Sequence, residues 1–338
     1  MQRFIFPFLS AIFICLILFS LFACSNPKHQ PVSTIRVTPS LNNNVVIMAD
    51  GYRLPLDTYL ANNPKTSLIA LHGFNDYRNA FAPLCTYLSE HNVNCYAYDQ
   101  RGFGETQHRG LWPHEDALQN DLATMIKLIK DKHPDLPLYI IGESMGGAVV
   151  MTTFAKPNAP QVAGISLLAP AVWARHTQPW YQRLALWLTV RIAPAWKPTA
   201  KGFERVVSDN DNMLKELSKD PLVIKATRID AIYGLTNLMD QALAAAKGVS
   251  AKGIVFYGDK DELITKQPTC EMLANIAENK INNMRFVLYK NGYHMLSRDL
   301  QANNVYQDLI TWIDDADQPL NTELSLNNNE WKNLYCNL

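Results

Sequence analysis

The chain has 338 residues, of which 48% are hydrophobic, which is enough for a sizeable core and excludes a disordered or fibrous protein. Thirty-one basic residues balance thirty-one acidic ones, so no summed field favours nucleic acid, and no basic run is dense enough to make a local footprint. The length suits one large α/β domain carrying an insertion, or two small domains.

The first residues differ from the rest. Arg3 is followed by an apolar run from Phe4 to Phe22 and then by Ala23, Cys24 and Ser25. A short basic start, an apolar stretch and a small residue directly before a cysteine resemble a bacterial lipoprotein signal, which implies cleavage before Cys24 and a lipid on that cysteine. The competing expectation is an uncleaved anchor, because the run approaches the ~20 residues that span a bilayer. Both imply an exported chain tethered to a membrane, facing the periplasm or on the outer membrane. Residues 1–24 are thus taken as the signal. Residues 25–44, polar and proline-bearing, are taken as a tether with no core of its own.

With Cys15 in the signal and Cys24 lipidated, Cys85, Cys95, Cys270 and Cys336 remain. Their spacing suits no metal site. Export permits disulfides, but a chain this long does not need them, so buried free thiols are expected.

From Val45 the pattern becomes regular. Val45–Met48 and Leu54–Tyr59 flank Asp50-Gly51, a strong hairpin signal. Ser67–Leu71 is an apolar strand that ends in His72-Gly73-Phe74-Asn75, and a helix through Phe81, Leu84 and Leu88 follows. Val93–Tyr98 is the next strand and runs into Asp99-Gln100-Arg101-Gly102-Phe103-Gly104. This is no dinucleotide fingerprint: Gln107 stands where a third glycine belongs, and no helix opens there. Ala117–Ile129 is helical, with Leu118, Leu122, Ile126 and Ile129 on one face.

Leu138–Ile141, Gly142-Glu143-Ser144-Met145-Gly146-Gly147 and the helical Ala148–Phe154 make a strand, a glycine-flanked serine and a helix. That context defines a nucleophile elbow, in which a strained turn pushes the hydroxyl out of the fold. Val162–Leu168, Gly253–Tyr257 and Arg285–Tyr289 are further strands. The alternation predicts an α/β fold with a mostly parallel central sheet, flanked by helices and carrying active residues at the strands' carboxyl ends.

Between residues 171 and 249 the rhythm breaks into an aromatic-rich helical insertion, expected to form a cap. Trp180, Leu184, Trp187 and Leu188 share one helix face, which predicts that part of the insertion buries against the main body or in a small core of its own, or meets something apolar as a lid lining the entrance to the site. The core would then be 45–170 and 250–318, with a polar, asparagine-rich tail at 319–338.

A serine nucleophile needs a base, an orienting acid and donors for the oxyanion. The strand ending at Tyr257 leads into Gly258-Asp259-Lys260-Asp261, and the last strand leads into Gly292-Tyr293-His294. In the chain order serine, acid, histidine, this assigns Ser144 as nucleophile, Asp261 as acid with Asp259 as runner-up, and His294 as base. The amides of Phe74 and Met145 are the expected oxyanion hole. No cofactor or metal is called for.

Together His72-Gly73, Asp99–Gly104, Gly142–Gly147, Gly258–Asp261 and Gly292–His294 resemble the monoacylglycerol lipase and lysophospholipase branch of the α/β-hydrolases, the serine aminopeptidase S33-like group. The resemblance covers about residues 45–315. It implies a serine hydrolase of monoacyl lipids with a helical cap over an acyl pocket. A small-ester or aryl-ester hydrolase, or a thioesterase, would use the same triad, and a silent binding fold would show a damaged one.

Overall fold

The computed structural model describes residues 26–114, 116–198, 205–278, 284–320, 325–326 and 330–336. The apolar start and Cys24 lie outside them. Among the described residues no helix is long and apolar enough to cross a membrane.

One ten-stranded sheet organises the chain, in the order β1-β2-β3-β5-β4-β6-β7-β8-β9-β10. The strands are β1 (Ser40–Leu41), β2 (Val45–Ile47), β3 (Arg53–Tyr59), β4 (Thr66–Leu71), β5 (Val93–Tyr98), β6 (Leu138–Glu143), β7 (Gly164–Leu168), β8 (Gly253–Gly258), β9 (Met284–Tyr289) and β10 (Ser325–Leu326). The stretch from β5 through β4, β6, β7 and β8 to β9 is parallel; the pairs outside it are antiparallel. The Asp50-Gly51 hairpin forms as expected, pairing Val46 with Leu54.

The helices are α1 (Ala82–Glu90), α2 (Ala117–Lys132), α3 (Met145–Phe154), α4 (Trp180–Ile192), α5 (Asp211–Lys219), α6 (Ile229–Ala245), α7 (Lys266–Glu278) and α8 (Ala302–Asp314). Strands β4, β5, β7 and β8 are buried along their whole length, as parallel strands covered on both faces must be. Successive side chains go to opposite faces and build two cores. Ile69, Leu71, Val255 and Tyr257 join the core with α2, α3, α6 and α7, while Leu68, Ala70, Ile254 and Phe256 join the core with α1 and α8.

Four expectations need correction. Residues 28–41 are laid on the domain rather than strung out as a tether: Gln30 is buried and donates through its backbone N–H to Trp112 O at 3.0 Å and through Nε2 to Leu111 O at 2.8 Å, and Ser40–Leu41 adds a strand. Satisfying backbone groups in a sheet edge outweighs the polar composition there. The tail is likewise integrated, since β10 pairs with β9 and Trp331 and Tyr335 enter the main core. All four described cysteines are paired, Cys85 with Cys95 and Cys270 with Cys336. The pairs join α1 to β5 and α7 to the tail, contacts that no spacing reveals.

The fourth concerns the cap. Trp180 (71% exposed), Leu184 and Trp187 (50%) face outward, and Val190 is the one buried residue of α4. The opposite face of that helix, through Gln182 and Leu186, turns instead toward the cavity that Ser144 and His294 line. The insertion buries itself chiefly through α6, whose Leu238, Met239, Ala242 and Leu243 belong to the main core.

Candidate active site

Strand β6 enters the elbow at Glu143, and Ser144 adopts φ 52° and ψ −112° before α3 begins at Met145. For a residue with a side chain this left-handed backbone is strained, and it is held by bonds on both sides. Ser144 N donates to Leu168 O at 2.9 Å, and Ser144 O accepts from Ala171 N at 2.9 Å and Ala148 N at 3.1 Å. The turn also explains the flanking glycines. A Cβ on Gly146 would lie 2.1 Å from Leu71 O, and one on Gly142 would lie 2.5 Å from Gly146 C. Ser144 is half-buried while the residues on either side of it are fully buried, so its side chain is the part of the elbow offered to the cavity.

His294 follows β9 and is 4% exposed. Its Nδ1 lies 2.8 Å from Asp261 Oδ2, and Asp261 Oδ1 accepts from the amides of Leu263 at 2.8 Å and Ile264 at 3.0 Å. The carboxylate is thus locked with one oxygen on its own loop and the other on the imidazole. Burial alone would lower the His294 pKa, but the charge and hydrogen bond of Asp261, with Glu143 behind, reverse that and leave it raised from its ordinary value. Asp259 stands apart: it is exposed and accepts from Asn291 N at 2.7 Å. Of the two candidate acids, Asp261 is the one joined to the histidine.

The loop after β4 lies against the elbow, for a Cβ on Gly73 would be 3.5 Å from Ser144 Cβ. That brings the Phe74 segment and the start of α3 at Met145 to the nucleophile, and unpaired amides at a helix start favour negative charge. His72 clamps this loop. It is wholly buried; its Nε2 accepts from Gln100 N at 2.9 Å, so Nδ1 carries the proton donated to Gly73 O at 2.8 Å. Desolvation lowers its pKa and keeps it neutral. The Asp99–Gly104 loop is structural in the same way: Arg101 bridges Asp121 (2.5 Å) and Asp50 (2.6 Å), and Asp99 takes the Arg78 guanidinium at 2.7 Å.

Sequence reasoning missed one buried group. Arg298 donates to Asp76 Oδ2 at 2.8 Å and to Glu143 Oε1 at 3.1 Å, and Ser297 Oγ donates to Glu143 Oε2 at 3.3 Å. Asp76 belongs to the loop after β4, Glu143 precedes the nucleophile, and Arg298 is four residues past His294. One guanidinium therefore ties the loop after β4 and the end of β6 to the segment that follows His294. The available signal was a glutamate at the end of a buried strand, which requires a cation.

Ser144 and His294 open on a single cavity of about 470 Å³, within the ~300–1,000 Å³ usual for small-ligand sites. Phe74, Trp173, Leu186, Leu235, Met239 and Ile264 make its wall apolar, and the Asp76, Glu143 and Arg298 group lies on the same wall.

A glycine-flanked serine on a strained strand-to-helix turn, in a parallel sheet with a helical insertion over the strand ends, defines an α/β-hydrolase. The chain belongs to the family described as serine aminopeptidase, S33, whose model matches residues 62–301. Relatives named monoacylglycerol or monoglyceride lipase match it over most of their length. A monoacylglycerol lipase from Mycolicibacterium smegmatis is 24% identical over 280 residues, covering 78% of this chain and 93% of the relative. The human monoglyceride lipase is 22% identical over 303 residues, covering 86% and 94%. Among solved structures, a soluble variant of monoglyceride lipase from Saccharomyces cerevisiae aligns with a TM-score of 0.66 at 18% identity, over 87% of this chain and all of that one. The Paleococcus ferrophilus monoacylglycerol lipase aligns at 0.61 and 17%, over 77% and 98%.

Proposed function

We propose that this protein hydrolyses single-chain lipid esters, monoacylglycerols or lysophospholipids, with Ser144, His294 and Asp261 as its catalytic triad. The observation that carries the proposal is the buried His294–Asp261 bond of 2.8 Å, opening on the same cavity as a serine held at positive φ.

In this mechanism the Ser144 hydroxyl oxygen attacks the ester carbonyl while His294 Nε2 takes its proton; Asp261 keeps the Nδ1 proton in place and stabilises the cation. The amides of Phe74 and Met145 receive the oxyanion. Collapse breaks the ester bond, and His294 returns the proton to the departing alcohol. Water then gives its proton to His294 and attacks the acyl-serine, and the fatty acid leaves as Ser144 is restored.

Three features support a lipid rather than a polar ester: the apolar cavity wall, the curated relatives named for monoacylglycerol, and the outward aromatic stripe of α4. An exposed stripe of Trp180, Tyr181, Leu184 and Trp187 beside Arg183 and Arg191 suits a lipid interface, where large rings sit at the headgroup level. Export on a lipid at Cys24 would hold the enzyme at such a surface.

The test is a chain-length series of monoacylglycerols, lysophospholipids and p-nitrophenyl esters on the chain lacking its first 24 residues, with Ser144→Ala as control. Long monoacyl esters should be preferred. Preference for acetate, or turnover by Ser144→Ala above a per-cent-scale residue, would overturn the proposal. For the anchor, Cys24→Ser expressed in a bacterial host should lose palmitate labelling; equal labelling of both forms would refute lipidation at Cys24.

A further inference from the structure

Beyond the family match, which ends at residue 301, the chain returns to the core at its far end. Cys336 is bonded to Cys270 on α7, the helix that begins just after the acid loop. Tyr335 beside it is 8% exposed, and its ring centroid is 5.6 Å from that of Tyr257 and 5.5 Å from that of Phe286. Lys266, the first residue of α7, closes over the Tyr335 ring at 5.5 Å.

Tyr257 is the link to the site. Its hydroxyl donates to Ile264 O, and the amide of Ile264 donates to Asp261 Oδ1 at 3.0 Å. Asp261 in turn holds His294 through its other oxygen. Burial first, and then the neighbouring Tyr257, push the Tyr335 phenol well above its ordinary pKa, so it stays neutral at working pH. An unbroken series of contacts thus runs from the Cys270–Cys336 bond through Tyr335, Tyr257 and Ile264 to the acid.

We propose that Tyr335 is a positioning residue for Asp261, and that the disulfide-anchored segment 330–336 is a brace that fixes the acid loop for catalysis. This rests on the triad proposed above. The strand carrying Tyr257 ends at Gly258, so the loop from Asp259 to Thr265 hangs between that strand and α7. Its first half is tied to the segment after β9, with Asp259 N on Tyr289 O at 3.1 Å and Lys260 N on Gly292 O at 2.9 Å, and Glu262 is held by Arg205 and Val206; beyond the acid it is held by the Asp261 carboxylate turned back on the Leu263 and Ile264 amides and by the Tyr257 hydroxyl on Ile264 O. With Tyr335 removed, the Tyr257 ring loses a neighbour, the grip on Ile264 loosens, and the side of the loop beyond Asp261 holds the carboxylate less firmly against His294. Misplacement of that order costs turnover, while substrate binding changes less, because Ile264 is one residue of a wall otherwise set by Phe74, Trp173, Leu186, Leu235 and Met239.

The experiment measures kcat, KM and the pH profile of kcat/KM for one soluble ester on the full chain, with active sites counted by fluorophosphonate titration. Tyr335→Ala should lower kcat per active site by roughly 10- to 100-fold with a much smaller change in KM. It should also move the acid limb of the profile to lower pH, because His294 owes its raised pKa to Asp261. Tyr335→Phe, which keeps the ring against Tyr257 and loses only the bond between the two hydroxyls, should recover most of both. If Tyr335→Ala does not fold, the double variant Cys270→Ser, Cys336→Ser frees the segment with its ring intact and should shift the limb the same way. A residue that only stabilises the fold would lower the active-site count and leave the limb where it is; that result overturns the brace. Ser144→Ala in the same assay separates the two proposals, since a surviving turnover there condemns the triad and not the brace alone.

Discussion

Replacing Asp261 with asparagine tests the site most sharply, because its surroundings dictate how the new amide must sit. Asp261 Oδ1 receives two backbone N–H groups, from Leu263 at 2.8 Å and Ile264 at 3.0 Å. In Asp261→Asn only the carbonyl oxygen can take that position, for an NH₂ there would face two donors. The NH₂ is therefore delivered to the Oδ2 position, 2.8 Å from His294 Nδ1. Nδ1 must then accept, which leaves the proton on Nε2, where it blocks acceptance of the Ser144 proton. The wrong tautomer in a serine hydrolase costs about 10⁴ in kcat. Asp259→Asn changes an exposed side chain that holds only the Asn291 amide and should cost far less. The assay is kcat on a p-nitrophenyl ester at several pH values, with circular dichroism to verify folding. Wild-type activity should fall on acidification with a midpoint above the ordinary histidine value near 6.5, since the raised pKa of His294 means that its inactive, protonated form persists to higher pH. A loss under about 100-fold for Asp261→Asn, or a greater loss for Asp259→Asn, would refute the assignment.

Arg298→Met should destabilise the fold by about 3–5 kcal/mol, measured by urea unfolding, because it leaves Asp76 and Glu143 as buried unpaired carboxylates. An unchanged midpoint would mean that the three segments hold together without it. Trp187→Ala should leave the urea midpoint and short-ester kinetics as they are, since that side chain is half exposed and points away from the catalytic cavity, and should reduce binding to phospholipid vesicles. Equal loss on soluble and vesicle-borne esters would speak against a lipid-facing role. Gly146→Ala should abolish folding or activity, as its Cβ has Leu71 O at 2.1 Å, and a fully active variant would contradict the packing of the elbow.

How far the sequence could be read depended on whether the constraint was local. The elbow, the strands and His294 were legible because each is set by residues next to one another: a buried run, a glycine-flanked serine, a histidine just past a strand end. Asp261 and Asp259 were harder to separate, since both follow β8. What decides between them is that one carboxylate can turn back on the amides two and three residues ahead while reaching the imidazole, a loop conformation rather than a composition. The Asp76, Glu143 and Arg298 group was hidden because its members come from three segments far apart in sequence, and only the fold brings them together.

The same distinction explains the two ends of the chain and the cap. Residues 25–44 and 319–338 look polar on average, but average polarity does not count what a few residues can do when a sheet edge is open nearby. Gln30 finds the Trp112 backbone, and Trp331, Tyr335 and Cys336 suffice to lock the tail. In α4 the error ran the other way. Periodicity marks a stripe, and a stripe is normally buried because water penalises it. Here Trp180, Leu184 and Trp187 stay in solvent while Gln182 and Leu186 turn toward the cavity. Amphipathic spacing says that a helix has two unlike faces; it does not say which faces the protein when a second apolar phase is available. An apolar stripe left outward on a helix over an ester-hydrolase site is what a lipid surface would stabilise, and the vesicle experiment with Trp187→Ala measures that directly.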